Sequence, residues 1–235
     1  TYGAYAVNAS GQSHSSYERV FVGINYPAAP TNVTIKESED LPGTVTMNWD
    51  APTTDREGNP LNPELVSYMI AHRMNGMNLT IVERGVKGTE LTFQALDPEK
   101  EKQKFVTYLI FSETAAGVND RDITQTVPIP VGKPFEMPYA ETFGSDSPTP
   151  MFTASTSQSA KWSVTNEISD QDGDGYYLMY DGFVGTTGTV STAKIAVSGA
   201  SPAFSLWYMC MEDATDEIVV SVNDGSGFKD VDRIC

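Results

Sequence analysis

The 235-residue chain is predicted to be an all-β protein in which β-sandwiches follow one another. Three observations carry the prediction. Residues 26–132 are a series of short alternating runs rich in β-branched and aromatic residues, divided by clusters of Gly, Pro, Asn and Asp. None of these runs keeps a 3.6-residue apolar period over the ~11 residues of an average helix. Finally, the chain writes one phrase twice. Tyr2, Ala4, Ala6, Asn8 and Gly11 stand in the same spacing as Tyr108, Ile110, Ser112, Thr114 and Gly117. In each copy an alternating strand runs into a glycine that can turn the chain. Because the first copy lies at the start of the sequence, the expectation is that the chain opens within the closing strands of one unit and is a fragment of a longer protein.

The length accommodates one large domain or two ordinary ones, and the repeat favours more than one. The net charge of −16, from 31 acidic and 15 basic residues, disfavours electrostatic binding to nucleic acid or to an anionic membrane surface. Divalent cations are the better partners. Acid is concentrated in residues 134–235, where 15 carboxylates face Lys161, Lys194, Lys229 and Arg233, a local net of −11. With only Cys210 and Cys235 present, a small disulfide-stapled scaffold is excluded and core packing must carry the fold. No run approaches the ~20 apolar residues needed to span a bilayer. The sequons at Asn8, Asn32 and Asn78 permit glycosylation but carry little weight.

Taken in order, the strands expected after residue 26 are Asn32–Ile35, Gly43–Trp49, Val66–His72, Asn78–Glu83, Glu90–Leu96, Lys104–Ser112 and Ile123–Ile129. Seven short strands in about a hundred residues predict an immunoglobulin-like β-sandwich with Trp49 in its core. Particular residues add a family resemblance. Pro27 to Pro30 look like a proline-led opening, Val45 to Pro52 like a second strand with its core tryptophan, and Val66 to Ile70 like a third. Leu96, Asp97 and Pro98 look like the turn before the sixth strand, which Tyr108 to Gly117 would complete. This text resembles a fibronectin type III domain. The resemblance implies that residues 1–25 are the closing strands of a preceding copy and that residues 26–133 form a complete one. Val106 stands where that family usually has a corner tyrosine, a departure that weakens the corner hydrogen bond rather than the assignment. A sandwich of this kind serves as a spacer or, through its loops, as a binding module, and the fold alone does not choose. His14 and His72 have no Cys or nucleophile nearby in sequence and are expected to be surface or strand residues.

A boundary follows at Lys133, Pro134, Met137 and Pro138, beyond which Gly, Ser, Thr and Asp dominate. The expected elements are an opening strand at Tyr139–Phe143, an early core tryptophan at Trp162, and strands at Gly175–Leu178, Val190–Val197, Phe204–Tyr208 and Asp216–Val222, the last before a turn at Asp224–Gly227. Their order resembles the MAM-like and cleaved-adhesin jelly rolls of the concanavalin-like sandwich group. Residues 134–235 are therefore expected to form a partial jelly-roll β-sandwich, completed by strands beyond Cys235. In Phe204–Met211 both alternating faces are apolar, as in a central strand covered on each side. Cys210 would there be a buried thiol, or else a disulfide partner of Cys235.

The sharpest chemical motif is Asp170, Asp172 and Asp174 before Gly175, with Asp181 following. Carboxylates at alternate positions of a glycine-kinked loop can converge on a calcium ion, which takes six to eight oxygens at ~2.3–2.6 Å. The flanking Tyr176 to Tyr180 read as strand, so the loop is not an EF-hand. Jelly rolls of the resembled kind commonly hold structural Ca2+ in acidic loops. A solvated acidic turn is the competing reading. A second cluster, Glu212, Asp213, Asp216 and Glu217, suggests glycoside hydrolysis, but an odd interval places Glu212 and Glu217 on opposite faces of one strand. A solvated hairpin turn is the plainer reading. No nucleophile elbow, phosphate loop or paired metal histidines occur.

The expected function is therefore non-catalytic: secreted or cell-surface adhesion modules that bind a glycan or a cell-surface protein, with no residue basis for an enzyme. The rival expectation is a set of accessory modules of a secreted protease or glycoside hydrolase whose catalytic domain lies elsewhere.

Overall fold

The computed structural model describes residues 2–18, 23–74, 78–144, 151–166, 175–199, 201–209 and 217–234. It is almost wholly β, and among the described residues its only helical element is a 3-10 turn at Pro63–Leu65. An N-terminal hairpin is formed by β1 (Tyr2–Ala4), β2 (Val7–Asn8), β3 (Gly11–Gln12) and β4 (Ser16–Glu18). The sandwich follows as β5 (Thr31–Glu37), β6 (Thr44–Asp50), β7 (Ser67–Met74), β8 (Thr80–Val86), β9 (Glu90–Gln94), β10 (Lys104–Thr114), β11 (Gly117–Val118), β12 (Thr124–Gln125) and β13 (Ile129–Val131). Each expected strand between residues 26 and 132 is present with shifted ends, and the last is split in two. Proline supplies no N–H for the ladder at position 128, between the two pieces.

One sheet has the order β5-β6-β9. The other has the order β8-β7-β10, with β11, β12 and β13 pairing successively along β10. Period-two alternation turns Val45, Met47 and Trp49 of β6 into the space between the sheets, while Asn48 and Asp50 face solvent. They meet Tyr68 and Ile70 of β7 and Val106, Tyr108 and Ile110 of β10 in one core, with Trp49 only 3% exposed. Each such side chain contributes on the order of 1.5–3 kcal/mol by leaving water. On the opposite face of the second sheet Met69, Ala71, Leu109 and Phe111 form a separate buried cluster with Val118 against it. That is why β7 and β10 read as nearly continuous apolar runs rather than alternating ones.

The repeated phrase is also a repeated hairpin. Val7 pairs with Gln12 and Asn8 with Gly11, the same register as Glu113 with Val118 and Thr114 with Gly117. The environments differ: Tyr2 and Tyr5 are exposed, whereas their counterparts Tyr108 and Phe111 are buried.

The remaining strands are β14 (Phe135–Glu136), β15 (Phe152–Ser155), β16 (Lys161–Thr165), β17 (Tyr177–Asp181), β18 (Gly188–Ser191), β19 (Ile195–Ala196), β20 (Ile218–Asn223) and β21 (Phe228–Ile234). Among the described residues they form separate two-stranded ladders: β14 with β19 in parallel, and β15 with β18, β16 with β17 and β20 with β21 antiparallel. Trp162 is half-buried, with its ring centroid 5.0 Å from that of Tyr180 and its indole N–H donated to the Ala154 carbonyl at 3.1 Å. Three expected strands differ. Val190–Val197 is broken at residues 192–194 into β18 and β19, which pair with different partners. Tyr139–Phe143 is not a strand, and pairing begins earlier, at Phe135. Residues 204–209 form no ladder, and Trp207 is 73% exposed. Alternation alone does not make a strand: the backbone N–H and C=O groups need a partner along at least one edge, and the described residues supply none there.

Candidate functional site

The residues with the sharpest chemical motif divide between described and undescribed positions. Asp170, Asp172 and Asp174 lie outside the described residues, as do Cys210, Cys235, Glu212, Asp213 and Asp216. Asp181 closes β17 opposite Lys161 and is exposed. Gly175, just past the acidic segment, has φ +82°, the left-handed backbone that a glycine turn needs. Among the described residues no three His, Cys, Asp or Glu are grouped so as to hold a metal. Glu217 braces the β20–β21 hairpin instead. Its carboxylate accepts from Arg233 at 2.7 Å, and Arg233 also reaches Asp230 at 2.9 Å, both across exposed surface.

His14 is exposed, and His72 lies half-buried on β7. His72 Nδ1 is buried without a hydrogen-bond partner, and burial pulls the imidazole below its ordinary pKa.

A half-open recess lies at one end of the sandwich, where residues 23–25 approach the loop between β6 and β7. It encloses ≈ 590 Å³ and is lined by Asn25, Asp55, Glu57, Asn59, Asn62 and the half-exposed Leu65, among others. Asp55 builds it. The local sequence sets a turn after Asp55, with Gly58 at φ +89° and Pro60 fixing the return. Only 7% exposed, Asp55 accepts from the Glu57 and Asn59 backbone N–H groups at 2.9 and 2.8 Å through Oδ1. Its Oδ2 accepts from the side-chain amides of Asn59 and Asn25 at 2.9 and 3.2 Å. The Asn59 amide is the largest influence holding the Asp55 carboxyl below its ordinary range, against an opposing contribution from burial.

The other wall is strapped down by polar side chains that β10 and its following loop present. Thr114 donates to the Asn25 carbonyl at 3.0 Å, Ser112 to Ala28 at 2.6 Å, and the fully buried Asn119 to Pro27 at 2.8 Å. Ser112 and Thr114 share the inward face of β10 with Tyr108 and Ile110, so their hydroxyls are buried and need these carbonyls. Arg56 covers the Tyr26 ring at 5.2 Å. Metal and catalytic patterns in the sequence do not lead to this recess. The turn chemistry from Asp55 to Pro60 is its one local signal.

At the opposite end of the sandwich Glu37 is the last inward-facing residue of β5, after Val33 and Ile35. Its Oε1 accepts from the backbone N–H groups of Gly43 and Gly132 at 2.6 and 2.8 Å, and its Oε2 takes an ion pair from Lys194. Burial first, then the Glu37 charge, raises the Tyr108 phenol well above its usual range.

No protein-family model matches the chain, and no curated protein matches it. No helix among the described residues is long and apolar enough to cross a membrane.

Proposed function

We propose that the chain is a set of non-catalytic extracellular modules that bind a glycan or glycosylated surface protein. In this reading residues 26–133 are a fibronectin type III sandwich, and residues 134–235 are a MAM-like or cleaved-adhesin jelly roll with structural calcium at the acidic loop. The recess beside Asp55 carries the proposal. Asparagine amides and carboxylates offer donors and acceptors together, which suits vicinal hydroxyls, and Leu61 and Leu65 supply apolar surface for the C–H face of a sugar. A site held by saturated hydrogen bonds loses little conformational freedom on binding.

The test is a glycan array probed with the whole chain in millimolar calcium, followed by Glu57→Gln and Asn62→Ala. The expected result is binding to a defined glycan class, weakened about tenfold by each substitution, the worth of one hydrogen bond to a charged or amide group. Failure to bind any glycan above background, or binding indifferent to both substitutions, overturns the assignment of the recess.

A further inference from the structure

We infer that the sandwich and the β14–β19 ladder are locked into one rigid body by a largely buried polar latch made of Glu37, Gln103 and Lys194, a feature independent of any ligand in the loop recess. The connection leaves little slack. Only Gly132, Lys133 and Pro134 separate β13 from β14, and β14 pairs in parallel with β19, Phe135 opposite Ile195. Lys194, immediately before β19, is held from three directions. Its backbone N–H donates to Gln103 Oε1 at 2.6 Å, and its carbonyl accepts from Gln103 Nε2 at 3.2 Å and from the Phe135 N–H at 2.9 Å. Its ammonium pairs with Glu37.

Gln103 is 3% exposed, and its Nε2 also reaches the Lys133 carbonyl at 3.1 Å, so every polar atom of this buried amide is used. A buried amide with partners on both oxygen and nitrogen fixes position as well as supplying energy, because sliding by one residue would break all three bonds together. Apolar contact continues the seam: the Phe105 and Phe152 rings lie 6.0 Å apart, and Ala193 is buried beside the lysine. Charge suits the pairing, since Lys194 is one of four basic residues in the strongly acidic residues 134–235. Gly132 is needed at the seam, because a Cβ there would lie 2.7 Å from Leu96 Cδ2 and 3.0 Å from Gln103 Cα.

The experiment is NMR on the whole chain: 15N relaxation for tumbling and amide hydrogen exchange for the latch. The expected wild-type result is one rotational correlation time for the amides of the sandwich and for those of β14 and β19. In Gln103→Ala combined with Lys194→Met, exchange at the residue 194 and Phe135 amides should accelerate at least about tenfold while Met47 and Ile110 stay protected, since local opening leaves the core closed. Two correlation times in the wild type overturn the proposal whatever the variant does. So does exchange at residue 194 that is unchanged in a folded variant.

Discussion

Trp49 and Tyr68 meet edge to face across the sandwich core, ring centroids 5.0 Å apart at 69°, and yet neither the indole N–H nor the phenol O–H has a hydrogen-bond partner. Burial raises the Tyr68 phenol, and the nearby Trp49 indole, short of hydrogen-bond geometry, offsets part of that rise. The pair therefore contributes by area and ring geometry, not by polarity. Trp49→Ala should cost about 3–5 kcal/mol, as large-to-small aromatic substitutions in a core do. Tyr68→Phe should be neutral or stabilising, because it removes an orphaned buried hydroxyl while keeping the ring. Denaturant titration of both variants checks this, and a Tyr68→Phe loss as large as that of Trp49→Ala would show that the hydroxyl is satisfied after all.

Two glycines close the end of the sandwich that carries Glu37. Gly43 has φ +86°, and a Cβ there would stand 2.2 Å from the Leu96 carbonyl oxygen. Gly132 has φ +117° and meets Leu96 and Gln103. Both donate their N–H groups to Glu37, so each is fixed in place by the carboxylate it helps to satisfy. Gly43→Ala and Gly132→Ala are each predicted to destabilise by at least about 1–3 kcal/mol, the cost of a strained backbone before any clash is counted. Gly58→Ala makes the control, since its positive φ is similar but open space surrounds it. Thermal melts of the three should rank Gly58→Ala as the mildest.

His72 gives the sandwich a specific acid sensitivity. Burial lowers its folded pKa below the ordinary 6.5. As pH falls through 6.5 the unfolded chain therefore takes up a proton that the folded chain refuses, and stability drops until the folded value is reached. His72→Leu should flatten the slope of stability against pH just below the ordinary 6.5, above most carboxylate titrations. Urea titrations at half-unit pH steps measure it. An unchanged slope would mean that the imidazole titrates alike in the folded and unfolded chains.

The recess beside Asp55 should open in acid. The folded Asp55 carboxyl titrates below its ordinary 3.8, so its contribution is present above that value and is lost as pH falls through the lowered one. Asp55→Asn keeps the size but loses acceptor capacity, since an amide nitrogen cannot receive the Asn25 and Asn59 amides. Amide exchange at Glu57 and Asn59 should rise in that variant at neutral pH and in the wild type only in acid. Equal protection in both at neutral pH would assign the turn to Gly58 and Pro60 alone.

The sandwich was legible because a half-buried strand writes its burial into every second residue. Val45, Met47 and Trp49 declare their face by alternation alone, and Ser112 and Thr114 continue the inward face of Tyr108 as polar residues. The same rule misled at Phe204–Met209, where two apolar faces predict a covered strand but the chain is exposed and unladdered. What covers a strand is decided by other segments. The Glu37 latch was illegible for a related reason: Glu37, Gln103, Gly132 and Lys194 are far apart in sequence, and each alone reads as an ordinary strand or loop residue. Asp55 lies between these cases, since its turn was readable locally while the Asn25 amide that completes it arrives from another segment.

The acidic segment before Gly175 predicts a calcium dependence. Asp170, Asp172 and Asp174 stand at alternate sequence positions just before Gly175, and β17, which Asp181 ends, follows in sequence. Three carboxylates brought together without a cation repel one another, whereas a calcium ion bound only to the folded state stabilises it by mass action. Raising calcium from chelated to a hundred times its dissociation constant should add about 2.7 kcal/mol to the stability of the C-terminal strands. Asp172→Ala should abolish that gain and leave melting of the Trp49 core unchanged, since the strand ladders there contain none of these residues. Calorimetry of the whole chain with chelator and with millimolar calcium separates the readings. A melting profile indifferent both to calcium and to Asp172→Ala would identify the loop as a solvated turn, in which aspartate and glycine serve only to reverse the chain.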